Sequence, residues 1–466
     1  MNIIKPYFYA GWRHLFTMFI LMVFCLGGSA GTTGDEVLLT VHDRKITKGE
    51  FLYHFNQNYK DLNQENVQEY IELFIDFHLK LAMAREQRLH HQIGFINELA
   101  EYRLLLAAPY LTDQKKIDEL AQEAKERLNY KWRTNHILVK FPVEASPEDT
   151  LKAYYSAVQI HRQIQQAGSF QEVATTLSQD PFISVNHGDT SYITAFQSEY
   201  AYESAVYHMA PGEISKPVKS HSGYFIIQLV NKRKSESFPD DNELYSMIEE
   251  TKDERKDIIK DAFVSRLKKE WNFKENKELL NFFTEFADER IYKGTWTPPA
   301  GEKLKANLFF IDGKGVTVND FSDYLQNIDY NGMKLPVNDF IRNHYEQFVS
   351  NRLIQYENYK LPEKYPVFRY QYEEYRDGML LLEITKQQVW QKASSDSAGL
   401  KKFFEENRMN YPVSLQDITL KEVFEPVQDD YQEWLMNQWV KELRGLYKVE
   451  VDEKVLSSIL NSSSMD

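Results

Sequence analysis

The chain has 466 residues, a formal charge of −14, and an aromatic share of 14% drawn mostly from 29 tyrosines and 29 phenylalanines. An acidic surface of this kind argues against nucleic acid as a partner and favours solubility. With one cysteine, Cys25, neither a disulfide framework nor a thiolate metal site is available, so roughly three domains of about 150 residues must each be held by an apolar core.

Lys5 and Arg13, the apolar run Leu15 to Leu26 and the small residues Gly28-Ser29-Ala30 give residues 1–30 the make-up of an export signal peptide. The apolar run falls short of the about 20 residues that span a bilayer, so a retained membrane anchor is the lesser reading. Cys25 sits inside it behind the bulky Phe24, where a lipid-attachment motif has a small residue. Removal of two bases and no acid takes the remainder from −14 to about −16. From Glu36 the sequence predicts a strand over Val37 to Val41, a turn at His42-Asp43-Arg44, and a helix opened by Thr47 and Glu50 at capping-box spacing. Val67, Tyr70, Ile71, Phe74, Phe77, Leu81 and Ala84 then mark the core face of a second helix. A third runs through Phe95, Leu99, Tyr102 and Leu106 to Pro109, and a charged helix from Asp113 to Tyr130 follows. His90-His91 falls in a polar turn and reads as solvated rather than metal-binding.

The stretch from Trp132 to Arg233 is the most informative. Asn135 to Lys140 reads as a buried strand with one histidine. Helices are expected over Thr150 to Ala167 and Ser169 to Leu177, the second with Ser169 and Glu172 as a capping box. A turn at Pro211 to Val218 precedes a strand over Ser222 to Val230. In order and wording, "NHILVK", "AGSFQEVATTLSQD", "HGD", "PGEISKPV" and "SGYFIIQL" resemble the parvulin, or PpiC-type, peptidyl-prolyl isomerase domain.

That resemblance implies an apolar cup for a proline ring, with two histidines on adjacent strands and a Cys or Asp beside them. It places the catalytic pair on His136 and Asp180, and the substrate wall on Phe196, Tyr202, Tyr207, Ser222 and Phe225. Three positions depart from the family pattern. Phe225 stands where the second histidine is usual, Thr190 replaces an apolar leucine, and the methionine-like cup position falls on Ser198, with Phe196 as nearest substitute. The expectation is weak or lost isomerase activity with the peptide groove retained. No metal or cofactor is implied.

Beyond the domain, Lys234 to Asp241 reads as a linker and Ile248 to Trp271 as one long helix; the alternating charges of Lys252 to Lys260 suggest a solvated face. Leu308 to Phe321 then repeats Leu38 to Phe51, with Thr317 and Asp320 in place of Thr47 and Glu50. Phe368 to Arg376 repeats Phe95 to Arg103, and Trp439 to Val449 repeats Phe263 to Phe273. A helical module split around a parvulin domain is similar to the SurA-type periplasmic chaperones. The expected class is α+β, helical chaperone modules with an inserted parvulin-like domain built on a small antiparallel sheet. Its divisions are a signal over 1–30, a first helical module over 31–131, the parvulin-like domain over 132–233, closing helices of the first module over 234–297, and a second module over 298–466, with Pro298 to Gly301 as boundary. The resemblance implies a periplasmic isomerase and chaperone whose partners are unfolded envelope or outer-membrane proteins. The alternatives are a holdase whose parvulin-like domain only binds extended peptide, and a structural envelope subunit with one dedicated partner.

Overall fold

The chain leaves one structural unit at Arg103, builds a second from Leu104 to Phe368, and returns to the first from Arg369 onward. The computed structural model describes residues 36–59, 62–142, 145–167, 169–181, 189–236, 238–328, 335–411, 419–421 and 423–462. The expected export signal, with Lys5, Arg13 and Cys25, and the His187-Gly188 part of the "HGD" turn lie outside them. The class is α+β, as expected.

In the first unit, β1 (Val37–Val41) and β2 (Arg44–Thr47) form a hairpin turned by His42 at φ 55°. Thr47 accepts from the Glu50 amide at 3.2 Å and opens α1 (Lys48–Asn58). Glu50 itself pairs with Arg44 at 3.0 Å. The predicted stripe of α2 (Gln64–Glu86) is buried at Val67, Tyr70, Ile71, Phe74, Leu81 and Ala84, while Phe77 is half-buried. In α3 (Ile93–Ala107) only Ala107 is fully buried, and Phe95, Leu99, Tyr102 and Leu106 are half-covered.

The second unit begins with α4 (Gln114–Leu128), capped by Asp113. There follow β3 (Tyr130–Lys140), α5 (Pro147–Ala167), α6 (Phe170–Leu177), β4 (Asp189–Ile193), α7 (Tyr200–His208), β5 (Val218–Lys219) and β6 (Gly223–Lys234). The strands make an antiparallel sheet in the order β4-β3-β6-β5. Its two faces follow the period of two along a strand. Ile137, Val139, Tyr224 and Ile226 pack with Ala157 of α5 and Phe170 of α6. Leu138, Phe225, Ile227 and Leu229 pack with α4, α7 and α8 (Asp241–Glu250).

The single helix expected over Ile248 to Trp271 is instead two, α8 and α9 (Arg255–Glu270), broken at Thr251 to Glu254. Thr251 is extended, its hydroxyl accepts from the Asp253 amide at 3.4 Å, and the Asp253 carboxylate accepts from the Arg255 amide at 3.0 Å. Short polar side chains here compete for the backbone donors a continuous helix would use.

β7 (Lys274–Glu275) pairs with β8 (Asn307–Ile311), which turns into β9 (Lys314–Thr317), α10 (Val318–Gln326) and α11 (Val337–Lys364). The helix α12 (Pro366–Thr385) carries the chain back into the first unit, where α13 (Ser397–Asn407), α14 (Phe424–Leu446), β10 (Val449–Val451) and α15 (Glu453–Ser462) follow. The repeat holds in detail: β1 and β8 share one burial pattern, each is bulged near its start, and Asp312 at φ 49° matches His42. Tyr102 and Tyr375, equivalent in the repeat, stack at 3.7 Å between ring centres.

The closing segments are exchanged relative to the expectation. β10 pairs with β1, Leu39 opposite Val451, while β7, which follows α9, pairs with β8. The helix after the inserted domain therefore serves the second hairpin, and the C-terminal helix serves the first. Pro298 to Gly301 lies inside the second unit.

Candidate active site in the four-stranded domain

Thr134, His136 and Leu138 alternate onto the face of β3 that looks toward α7. Among the described residues the pairing of β3 with β4 runs to Asn135, and the segment after α6 meets β3 beyond it: Gln179 donates its amide to the Leu138 carbonyl at 2.8 Å, and the Leu138 amide donates to Ser178 Oγ at 3.1 Å. This docking delivers Asp180 to His136, Nε2 to Oδ2, at 2.6 Å. On the other side β6 brings Phe225 opposite Leu138. Gly223 permits that start: at φ 154° any Cβ would lie 2.1 Å from the Val139 carbonyl oxygen.

His136, Tyr202 and Phe225 form a mutual edge-to-face trio, with ring centres 5.7, 5.4 and 5.0 Å apart. A carboxylate accepts, so Asp180 fixes the histidine proton on Nε2 and leaves Nδ1 as the acceptor, 3.5 Å from the Tyr202 hydroxyl. Tyr202 lies 2.7 Å from Thr134 Oγ1, which lies 2.9 Å from Thr190 Oγ1. Thr190, a polar departure from the family pattern, thus ends a hydroxyl chain that orients His136. Burial pushes the His136 pKa down against the Asp180 hydrogen bond and charge, favouring the neutral ring. Burial raises the Tyr202 phenol, which stays protonated.

Of the other expected wall residues, Phe196 sits at φ 65° with its amide on Glu203 Oε2 at 2.9 Å. Ser222 is exposed and donates its amide to Glu199 at 3.2 Å. Tyr207 does not join the group. Five residues along a helix from Tyr202 is about 140° round the axis, and Tyr207 faces Tyr130 and Lys232 at the far end of the sheet. That end of β3 lies six residues from His136, about 20 Å.

Sequence reasoning missed Thr134, Glu203, Glu254 and Arg255. Glu203 is fully buried between Arg127 of α4, at 2.8 Å, and Arg255 of α9. Burial pushes its carboxyl up, and the two arginines pull it back. Among the described residues no group of three His, Cys, Asp or Glu is placed to hold a metal; His90 and His91 pack ring against ring at 4.2 Å.

Residues 136–231 match the family described as the PPIC-type PPIASE domain. The Foldase protein PrsA of Geobacillus kaustophilus is 28% identical over 221 residues, 44% of this chain and 74% of that protein. The Chaperone SurA of Nitrosococcus oceani is 33% identical over 124 residues, 27% of each. A crystal structure of the peptidylprolyl isomerase PrsA from Bacillus anthracis is 20% identical, covering 49% of this chain and 95% of that one, with a TM-score of 0.28. The resemblance to PpiC-bearing chaperones drawn from the motifs agrees with these relatives.

Proposed function

We propose that this chain is an exported folding factor, a parvulin-type prolyl isomerase carried by helical chaperone units that hold unfolded polypeptide. The observation that carries the reading is the His136–Asp180 pair at 2.6 Å, backed by Tyr202, inside the segment that matches the isomerase family. An X-Pro bond turns slowly because its amide has partial double-bond character, with a barrier of about 18–20 kcal/mol, and no covalent step is needed to speed it. A site that binds the twisted amide better than the planar one gains tenfold for each 1.36 kcal/mol or so of preference. A neutral histidine of fixed tautomer, beside aromatic edges and shielded from water, supplies such an environment. The clients are unfolded envelope or outer-membrane proteins in a periplasm, a reading supported by relatives named as foldases and chaperones and by the export-type residues 1–30.

Phe225 favours a second reading. It packs edge-on against His136 at 5.4 Å where the family places a second histidine, so the domain would bind proline segments without turning them. One preparation of the full chain separates the two. Isomerisation of a proline peptide is followed in a protease-coupled assay, and aggregation of an unfolded outer-membrane protein by light scattering. Acceleration with suppression is the expected result; suppression without acceleration leaves the holdase, and neither overturns both.

A further inference from the structure

The internal repeat places an equivalent groove in each unit, and the two differ in what lies in them. Leu38 to Phe51 matches Leu308 to Phe321 in step, so α1 and α10 continue in step: Glu50 corresponds to Asp320, Tyr53 to Asp323 and His54 to Tyr324. The next helices follow the same correspondence. Ring centre to ring centre, Phe74 lies 5.6 Å from Phe51 and 5.8 Å from His54, and Phe348 lies 5.2 Å from Phe321 and 5.1 Å from Tyr324. Phe74 therefore corresponds to Phe348, His78 one turn on to Arg352, and Leu81 to Gln355. In the first unit this groove is filled by α12. Tyr370 lies against Tyr53 at 5.1 Å, Glu373 pairs with Arg44 at 3.0 Å and Asp377 with Arg85 at 3.1 Å, and the Asp377 charge reaches both His54 and His78. Leu380, Leu381 and Ile384 of α12 join one core with Leu79 and Leu81, and His78 beneath the helix is 2% exposed.

In the second unit the same groove is an open cleft of about 330 Å³, lined by Asp320, Asp323, Tyr324, Phe348, Arg352 and Gln355. The Asp320 and Arg352 side chains are 42% and 40% exposed, whereas that of Glu50, the counterpart of Asp320, is 9% exposed. The charges left in the cleft indicate what fits it. Asp320 is committed to capping α10, its carboxylate accepting from the Thr317 amide at 2.7 Å and hydroxyl at 2.6 Å, and it meets Arg352 only at 4.0 Å. Asp323 stands where Tyr53 receives Tyr370; it accepts from Asn319 Nδ2 at 2.9 Å and has no ion pair among the described residues. Arg352 stands where His78 feels Asp377, its guanidinium over the Phe348 ring at 5.0 Å. A helix seated as α12 is seated brings the residue at the Tyr370 position to Asp323, and the residue seven further on, two turns along the same face, to Arg352.

We propose that this cleft is a docking site for a helix of another protein that carries Lys or Arg against Asp323 and Asp or Glu two turns later against Arg352. Opposite charges at the two ends set the direction and register of the incoming helix, with Tyr324 and Phe348 as the aromatic floor between them. None of these residues belongs to the four-stranded domain, so docking here is independent of proline isomerisation.

The test uses the full chain and fluorescent peptides of the α12 sequence, stapled on their outer face to hold the helix, with Tyr370 changed to Lys or to Glu; anisotropy reports binding. The parent chain should bind the Tyr370→Lys peptide about tenfold more tightly than the Tyr370→Glu peptide, and Asp323→Lys should reverse that order. Asp323→Asn, which keeps the size and removes the charge, should abolish the preference. Arg352→Glu should weaken the Tyr370→Lys peptide, and a further Asp377→Lys change in the peptide should restore it. The same preference in the parent and Asp323→Lys chains, or no binding of any peptide, overturns the proposal. So does self-association of the parent chain, by analytical ultracentrifugation, that Asp323→Lys abolishes, because the occupant is then a second copy.

Discussion

Glu203→Gln tests how the isomerase domain is fastened to the helices that flank it. Glu203 is 0% exposed and accepts three hydrogen bonds, from Arg127 of α4, from Arg255 of α9 and from the Phe196 amide. Arg127 and Arg255 are themselves 3% and 1% exposed. A glutamine keeps one acceptor oxygen but turns its amide toward guanidinium donors and removes the charge that two buried cations share. Asp253 and Glu123 remain as outer partners of Arg255 and Arg127. Breaking a buried ion group by removing one member costs about 3–5 kcal/mol, because the remaining charges are left uncompensated. A chain of two units need not unfold in one step, so the assay is local: amide exchange along α7 and β6 in the parent and the variant. The expected change is faster exchange there, equivalent to that loss, with little change around β1 and β10. A triple variant, Arg127→Leu, Glu203→Leu and Arg255→Met, should recover most of the protection, since apolar groups of similar volume often replace such a triad without loss. A Glu203→Gln protein within about 1 kcal/mol of the parent would refute the reasoning, because it would mean the arginines reach water.

Tyr202→Phe removes the hydroxyl between Thr134 and His136 and should destabilise the domain by only about 1 kcal/mol, while isomerase kcat falls and the imidazole nitrogen resonances of His136 shift by NMR. Gly223→Ala should cost roughly 2–4 kcal/mol by denaturant titration, because the added Cβ meets backbone atoms of Val139 and Lys140 that cannot move aside. His78, fully buried against Phe74 and Phe77, has its pKa lowered from 6.5 to about 3, chiefly by burial. Its neutral form is the folded one, so between those values the unfolded chain binds more protons and stability falls as pH falls below 6.5. His78→Leu should therefore save the first unit about 2–3 kcal/mol of the loss between pH 7.5 and 4.5, read by melting at the two pH values. Glu374 works the opposite way: burial raises its pKa to about 7, so its contribution is full at low pH and lost as pH rises through that value. Glu374→Gln should remove that loss in the same melting series.

Much of this was legible in the sequence because the signals were local. Apolar runs marked the central strands β3 and β6, and Thr47, Ser169 and Thr317 marked helix starts by short-range capping. The meeting of His136, Asp180, Tyr202 and Phe225 is what the resemblance to the parvulin motifs implied, and these side chains are together in the structure. Partner choice was not legible. Two hairpins with equivalent free edges can each accept either closing strand, and only the three-dimensional course of the chain decides that β10 joins β1 and β7 joins β8. Tyr207, placed in the substrate wall by the resemblance, lies five residues beyond Tyr202 on one helix, which turns its side chain away from His136. The charged run Lys252 to Lys260 looked solvated because its signs alternate, yet Glu254 and Arg255 are spent on the isomerase domain. Pattern alone does not distinguish a charge facing water from one facing a buried counter-charge.

The account turns on His136 as the working centre of a cleft that turns proline bonds. The most direct measurement is the rate of cis-to-trans conversion of a proline peptide by the full chain, by NMR exchange, beside its His136→Ala and Asp180→Ala variants at matched peptide saturation. Acceleration by the parent chain that drops to the solvent rate in both variants, with peptide still bound, is the predicted result. An unaltered rate in His136→Ala would contradict it.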